Sequence, residues 1–210
     1  MQDETQPLVL DLSSKGALGT TSMPQDSETR KVVTLCGNSL LNPLDDRSLQ
    51  RNCIVRKIKA SNVLDALEYT KSANPMDRVD CFIFQLITNE ARNTKNPGDL
   101  VHRCTTDILE LVAVCHKKWP NLHIIVSLAP PRADDQTSAL IQSSVNNNLK
   151  LSLGPHKNVL LIDNEDFGFN GNPDHHLYRE DLIHPNQRGS EILLNKYKRA
   201  LQDIFGFDRW

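Results

Sequence analysis

The sequence predicts a three-layer α/β/α sandwich around a central parallel sheet of five strands. Three observations carry that expectation. A chain of 210 residues, 39% of them hydrophobic, can bury one sizeable core but is short for two ordinary domains. Five short apolar runs read as strands, and several are nearly continuous in Val, Ile, Leu and Phe, as expected of parallel strands buried on both faces. Segments with apolar residues at helical spacing separate them, and regular alternation of this kind specifies right-handed crossovers in a doubly wound fold.

From the amino end, VVTLC (32–36) is the first strand and CIVRKIKA (53–60) the second. Ser61 can cap a helix carrying Val63, Leu64, Leu67 and Tyr69. VDCFIFQLI (79–87) is the third strand, and Pro97 with Asp99 opens a longer helix with Val101, Cys104, Ile108, Leu111, Val112 and Cys115 on one face. LHIIVSLAP (122–130) precedes a helix marked by Leu140, Ile141, Val145 and Leu149, and VLLID (159–163) is the fifth strand. A last helix from about Gln187 places Leu193, Tyr197, Ala200, Leu201 and Ile204 at helical spacing. The domain is therefore expected over 30–210. Residues 1–29 set Lys15 against Asp3, Glu4, Asp11, Asp26 and Glu28 among many Ser, Thr and Gln, a composition expected of a flexible linker or leader.

Lys and Arg total 24 against 26 Asp and Glu, which excludes a grossly basic nucleic-acid binder and an acidic tail protein alike. No apolar run approaches the length of a membrane span, and the amino terminus is acidic where a signal peptide is basic, so a soluble intracellular chain is expected. The five cysteines form no CxxC pair and His175–His176 are adjacent, so neither a disulfide framework, a metal site nor a cofactor is expected. The balanced total conceals a local excess of five positive charges over 30–60, where Arg30, Lys31, Arg47, Arg51, Arg56, Lys57 and Lys59 face only Asp45 and Asp46.

Sites in such sheets form at the carboxyl ends of the strands. Ser39 lies in the loop after the first strand, where a nucleophile can be exposed. Asp181 stands three residues before His184 near the last helix, a spacing that lets a carboxylate orient an imidazole and the imidazole deprotonate a serine. Asn89 follows the third strand, where its amide could donate to a developing oxyanion.

These blocks resemble the SGNH, or GDSL, hydrolases, whose flavodoxin-like strand order carries a serine in a GDS block, a glycine, an asparagine in a GxND block, and a DxxH block. The resemblance covers residues 30–205, and DLIHPNQRG is its most specific part. It implies Ser39 as nucleophile, His184 as base, Asp181 as its orienting acid and Asn89 as an oxyanion donor. The departures are as informative: Asn38 replaces the aspartate of GDS, Ile87 a glycine, and Glu90 the last aspartate of the third block. No glycine occurs between Gly37 and Gly98, so the block that supplies a backbone N–H to the oxyanion hole has no counterpart. Losing one such donor costs on the order of a hundredfold to a thousandfold in rate.

Within the family, the basic stretch after the first block and the FGFDRW terminus are similar to the OSK-type domains of insect germ-plasm organisers. That resemblance implies a pseudoenzyme that binds messenger RNA, including 3′ untranslated regions, alongside other germ-plasm proteins in cytoplasmic germ granules, with no membrane or DNA partner. On this reading the RNA contacts are Arg47, Arg51, Arg56, Lys57, Arg92, Arg179 and Arg188, which with Arg132 form a basic rim at one edge of the sheet. Two other readings stand beside it: an active serine esterase using Ser39, His184 and Asp181, and a protein-interaction module whose basic face binds an acidic partner.

Overall fold

The computed structural model describes residues 30–44, 49, 51–89, 96–169 and 172–207. Five parallel strands are present: β1 (Lys31–Gly37), β2 (Cys53–Lys59), β3 (Cys81–Gln85), β4 (His123–Ser127) and β5 (Val159–Ile162), in the spatial order β2-β1-β3-β4-β5. Four helices connect and flank them: α1 (Val63–Ser72), α2 (Pro97–Lys118), α3 (Gln136–Leu153) and α4 (Gln187–Phe205). The leader 1–29 lies outside the described residues.

Strand alternation sorts the core into two layers. Cys36, Phe82, Phe84, Ile124 and Val126 point to one face, where α1, α2 and α3 pack on them through residues such as Ala66, Leu111 and Val145. Val33, Leu35, Ile83 and Ile125 point to the other, under Tyr197, Ala200 and Leu201 of α4. Beneath the carboxyl ends of the strands, the Tyr197 hydroxyl donates to Gln85 Oε1 at 2.9 Å and lies 3.2 Å from Ser127 Oγ, a polar pin through an otherwise apolar layer.

Local differences from the sequence expectation have local causes. The amino cap of α1 is Asn62, whose side chain accepts from the Asp65 amide at 2.8 Å, and Ser61 stands one residue outside. Leu64 and Leu140 are exposed, because the buried stripes of their helices run through Val63, Ala66 and Leu67, and through Ile141, Val145 and Leu149. The long loop after β5 holds a small antiparallel hairpin, β6 (Gly168–Phe169) with β7 (Asn172–Pro173), which two-residue strands gave no period to reveal. Lys118, the last residue of α2, donates to the carbonyls of Thr70, Lys71 and Ala73, which adds to the Ala73 amide bond on the Tyr69 carbonyl in closing the carboxyl end of α1.

Candidate active site

Gly37 ends β1 so close to β3 that a Cβ there would stand 2.4 Å from the Gln85 carbonyl oxygen, so only glycine fits this approach. The chain then turns through Asn38 into a 3-10 turn over Ser39–Leu41. Asn38 is buried: its Oδ1 accepts from the Leu40 amide at 3.1 Å and its Nδ2 donates to the Leu86 carbonyl at 3.3 Å. A carboxylate could make the first bond but not the second, which gives the amide a structural use where the family carries aspartate.

Ser39 emerges half-buried, with Oγ 2.8 Å from His184 Nε2. His184 Nδ1 lies 2.7 Å from Asp181 Oδ2, while Asp181 Oδ1 accepts from the amides of Ile183 and His184, both at 2.9 Å. In the tautomer this arrangement favours, Nδ1–H donates to the carboxylate and Nε2 accepts from the serine hydroxyl. Partial burial alone would raise the Asp181 carboxyl, but the two amides and the imidazole outweigh it and hold the group down at about 2. The loop closes through antiparallel pairing of Tyr178 with Pro185, with Leu182 at φ 52°, the left-handed region a leucine seldom occupies. Gly189 lets α4 pass against it, since a Cβ there would meet the Leu177 carbonyl oxygen at 2.3 Å.

Asn89 is directed elsewhere. Its Nδ2 donates to the carbonyl of Ser61 at 2.9 Å. Ser61 belongs to the loop after β2, beside β1, where the Ala60 amide donates to the Gly37 carbonyl at 2.9 Å. On that loop the Ser61 amide is engaged by Asp65 Oδ2 at 2.7 Å. Ser39, His184 and Asp181 thus stand in hydrogen-bond order, while the Ser61 and Asn89 amides are both occupied. Sequence reading identified Asn89 but missed the Ser61–Asp65 bond; an Asp four residues after a serine, at the mouth of a helix, is the signal that could have suggested it.

The expected basic rim is divided. Arg47 and Arg92 lie outside the described residues. Arg51 is exposed but precedes β2, at the opposite end of the sheet from Ser39. Arg56 and Lys57 are exposed on edge strand β2, and as neighbours in a strand they point to opposite faces, where Lys57 reaches the Leu44 carbonyl. Arg179 and Arg188 are exposed on the loop and helix that flank His184. Arg132 is not a rim residue: it is 3% exposed, bonds both Asp134 oxygens at 2.6 and 2.5 Å, and donates to the Thr88 carbonyl at 2.9 Å.

A cavity of about 420 Å³ between Pro43–Leu44 and the first turns of α4 has Arg179 in its wall. A larger one, about 780 Å³, lies between the loop after β4 and α3. Neither is lined by Ser39 or His184. Among the described residues no cluster of His, Cys, Asp and Glu could hold a metal ion, and no helix is long and apolar enough to cross a membrane.

No family model and no curated protein matches the sequence. Solved structures do match. A protein of Bacteroides fragilis described as an acylhydrolase superposes with a TM-score of 0.65 at 18% identity, over 86% of this chain and 93% of that one. A member of the lipolytic G-D-S-L family from Veillonella parvula gives 0.61 at 15% identity, over 84% and 98%. The lipase/acylhydrolase of Enterococcus faecalis gives 0.59 at 16%, over 83% and 96%. With the strand order and the helical layers above, these likenesses establish an SGNH hydrolase-like α/β fold for this chain.

Proposed function

We propose that this chain is a hydrolytically silent SGNH-like domain that binds RNA through backbone phosphates, as part of a germ-plasm ribonucleoprotein assembly. Its run of sequence is similar to the C-terminal domain of Oskar, from which the germ-plasm setting is taken. One observation carries the silent reading: Ser61 engages both oxyanion donors, its N–H held by Asp65 and its carbonyl occupying the Asn89 amide. An ester carbonyl at Ser39 would meet few donors beyond the serine's own N–H, and each missing donor costs on the order of a hundredfold or more.

Support for RNA comes from exposed cations, which suit phosphate because they need no base-specific geometry. Arg56 and Lys57 are exposed on β2, the edge strand of the sheet among the described residues, and Arg179 and Arg188 stand by the His184 loop. The test is filter binding of unrelated single-stranded RNAs across a salt series, with wild type and an Arg56→Glu, Arg179→Glu double variant. Affinity should fall with salt at a log-log slope of about 0.7 per phosphate contacted. It should drop in the variant for all RNAs alike. No binding by wild type overturns the RNA reading, and preference for an acidic protein over RNA would favour an interaction module.

A second reading, a working acyl hydrolase, is favoured by the 2.8 Å and 2.7 Å contacts of the Ser39–His184–Asp181 relay. Hydrolysis of short-chain p-nitrophenyl esters by wild type at a rate lost in Ser39→Ala would establish it over the silent reading.

A further inference from the structure

We propose that Ser61 is a latch on a latent acyl-ester hydrolase, and that freeing its backbone is enough to make Ser39 turn over. The inference rests on the silent reading above and specifies what enforces it. The relay needs no rebuilding, since the serine, imidazole and carboxylate stand in hydrogen-bond order. What is withheld is the pair of donors.

The latch has two arms. Asp65, in the first turn of α1, takes the Ser61 N–H at 2.7 Å, while its own amide is held by Asn62 Oδ1 at 2.8 Å. The two bonds form a reciprocal clasp around the start of the helix, in the manner of a capping box. On the other side, the Ser61 carbonyl draws the Asn89 amide at 2.9 Å. One residue therefore silences both donors, and rotation of the peptides around it releases both. Glycine at this position would permit such rotation, whereas a serine whose N–H is held by a helix-borne carboxylate does not.

In the released state the chemistry balances without a cofactor. Ser39 Oγ forms a bond to the ester carbonyl carbon as His184 Nε2 takes the hydroxyl proton, and the resulting oxyanion is met by N–H groups of Ser39, Ser61 and Asn89. Collapse breaks the carbon–alkoxy bond, His184 returns its proton to the leaving alcohol, and water then cleaves the acyl-serine by the same route.

The experiment compares wild type, Asp65→Ala with Ser61→Gly, and the same pair with Ser39→Ala added, for hydrolysis of p-nitrophenyl acetate and for labelling by a fluorophosphonate. The released variant is expected to exceed wild type by at least about a hundredfold in hydrolysis, the effect of a single restored donor, and by more with both restored. It should label at Ser39, and both gains should vanish with Ser39→Ala. Ser61→Gly alone, which leaves the α1 cap intact, is the second variant should the pair fail to melt cooperatively, and is expected to gain about tenfold. A folded released variant with wild-type hydrolysis and wild-type labelling overturns the latch. Ser39-dependent turnover already present in wild type overturns the silent reading instead.

Discussion

Ser39 Oγ and His184 Nε2 lie 2.8 Å apart although 145 residues separate them in the chain. The contact forms because β1 and the segment before α4 both end at the carboxyl edge of one sheet, where Gly37 and Gly189 allow backbones to approach more closely than a Cβ would permit. The Asp181–His184 turn then presents the imidazole with its second nitrogen already engaged.

The first prediction is acid sensitivity that runs through Asp181. Its carboxyl is held at about 2 in the folded protein against an ordinary value of 3.8, so its charged form favours the folded state. That contribution is fully present above about pH 5 and is lost as pH falls through the folded value near 2. Thermal melts of wild type and Asp181→Asn between about pH 2 and 6 should show a gap at the upper end that closes toward the lower. A gap independent of pH would contradict the assignment.

The second concerns Gly37→Ala. The added methyl would have to displace the Gln85 carbonyl, which also accepts from the Asn38 amide at 3.2 Å, so the β1–β3 pairing must shift. A loss of about 1–3 kcal/mol is expected, the usual cost of overpacking. Urea denaturation measures it. Fluorophosphonate labelling should not rise in this variant, because displacing the turn carries Ser39 away from His184.

A third separates structural from surface cations. Removing Asp134 by Asp134→Ala leaves the Arg132 guanidinium buried without its carboxylate, and should cost about 3 kcal/mol or more of stability. The exposed Arg188→Ala should leave the urea midpoint nearly unchanged. Comparable midpoints for the two variants would refute the burial of Arg132.

The fourth concerns thiols. Burial pushes Cys36 and Cys115 up to about 12 and Cys53 to about 11, and raises Cys81 as well. At pH 7.5 the thiolate fraction is negligible, and the sulfurs are also covered. Iodoacetamide should modify the native domain slowly and the urea-unfolded chain rapidly at all five positions, as counted by mass spectrometry.

The sequence by itself determined the strands, the helices and the chemistry at the strand ends. Each depends on local pattern: apolar runs, buried on both faces in the inner strands and partly exposed in edge strands β2 and β5, helical periodicity in α2 and α4, and a serine and a DxxH block at fixed offsets from those elements. The relay residues were legible for the same reason, since a site at the carboxyl ends of parallel strands is fixed once the strands are. Tertiary structure alone decided how those residues are used. The partner of Asn89 is a carbonyl 28 residues away on another loop, and no local pattern specifies it. Arg132 looks like a surface cation until packing buries it against Asp134 and Thr88. The basic segment 30–60 reads as one patch, but β2 runs the length of the sheet's edge, so it leaves Arg51 at one end and turns Arg56 and Lys57 to opposite faces. Hydrogen-bond partners and charge neighbours across a sheet depend on distances that chain order does not contain, and the place of a strand at the edge decides its burial too, since the apolar run of β5 leaves Leu160 exposed.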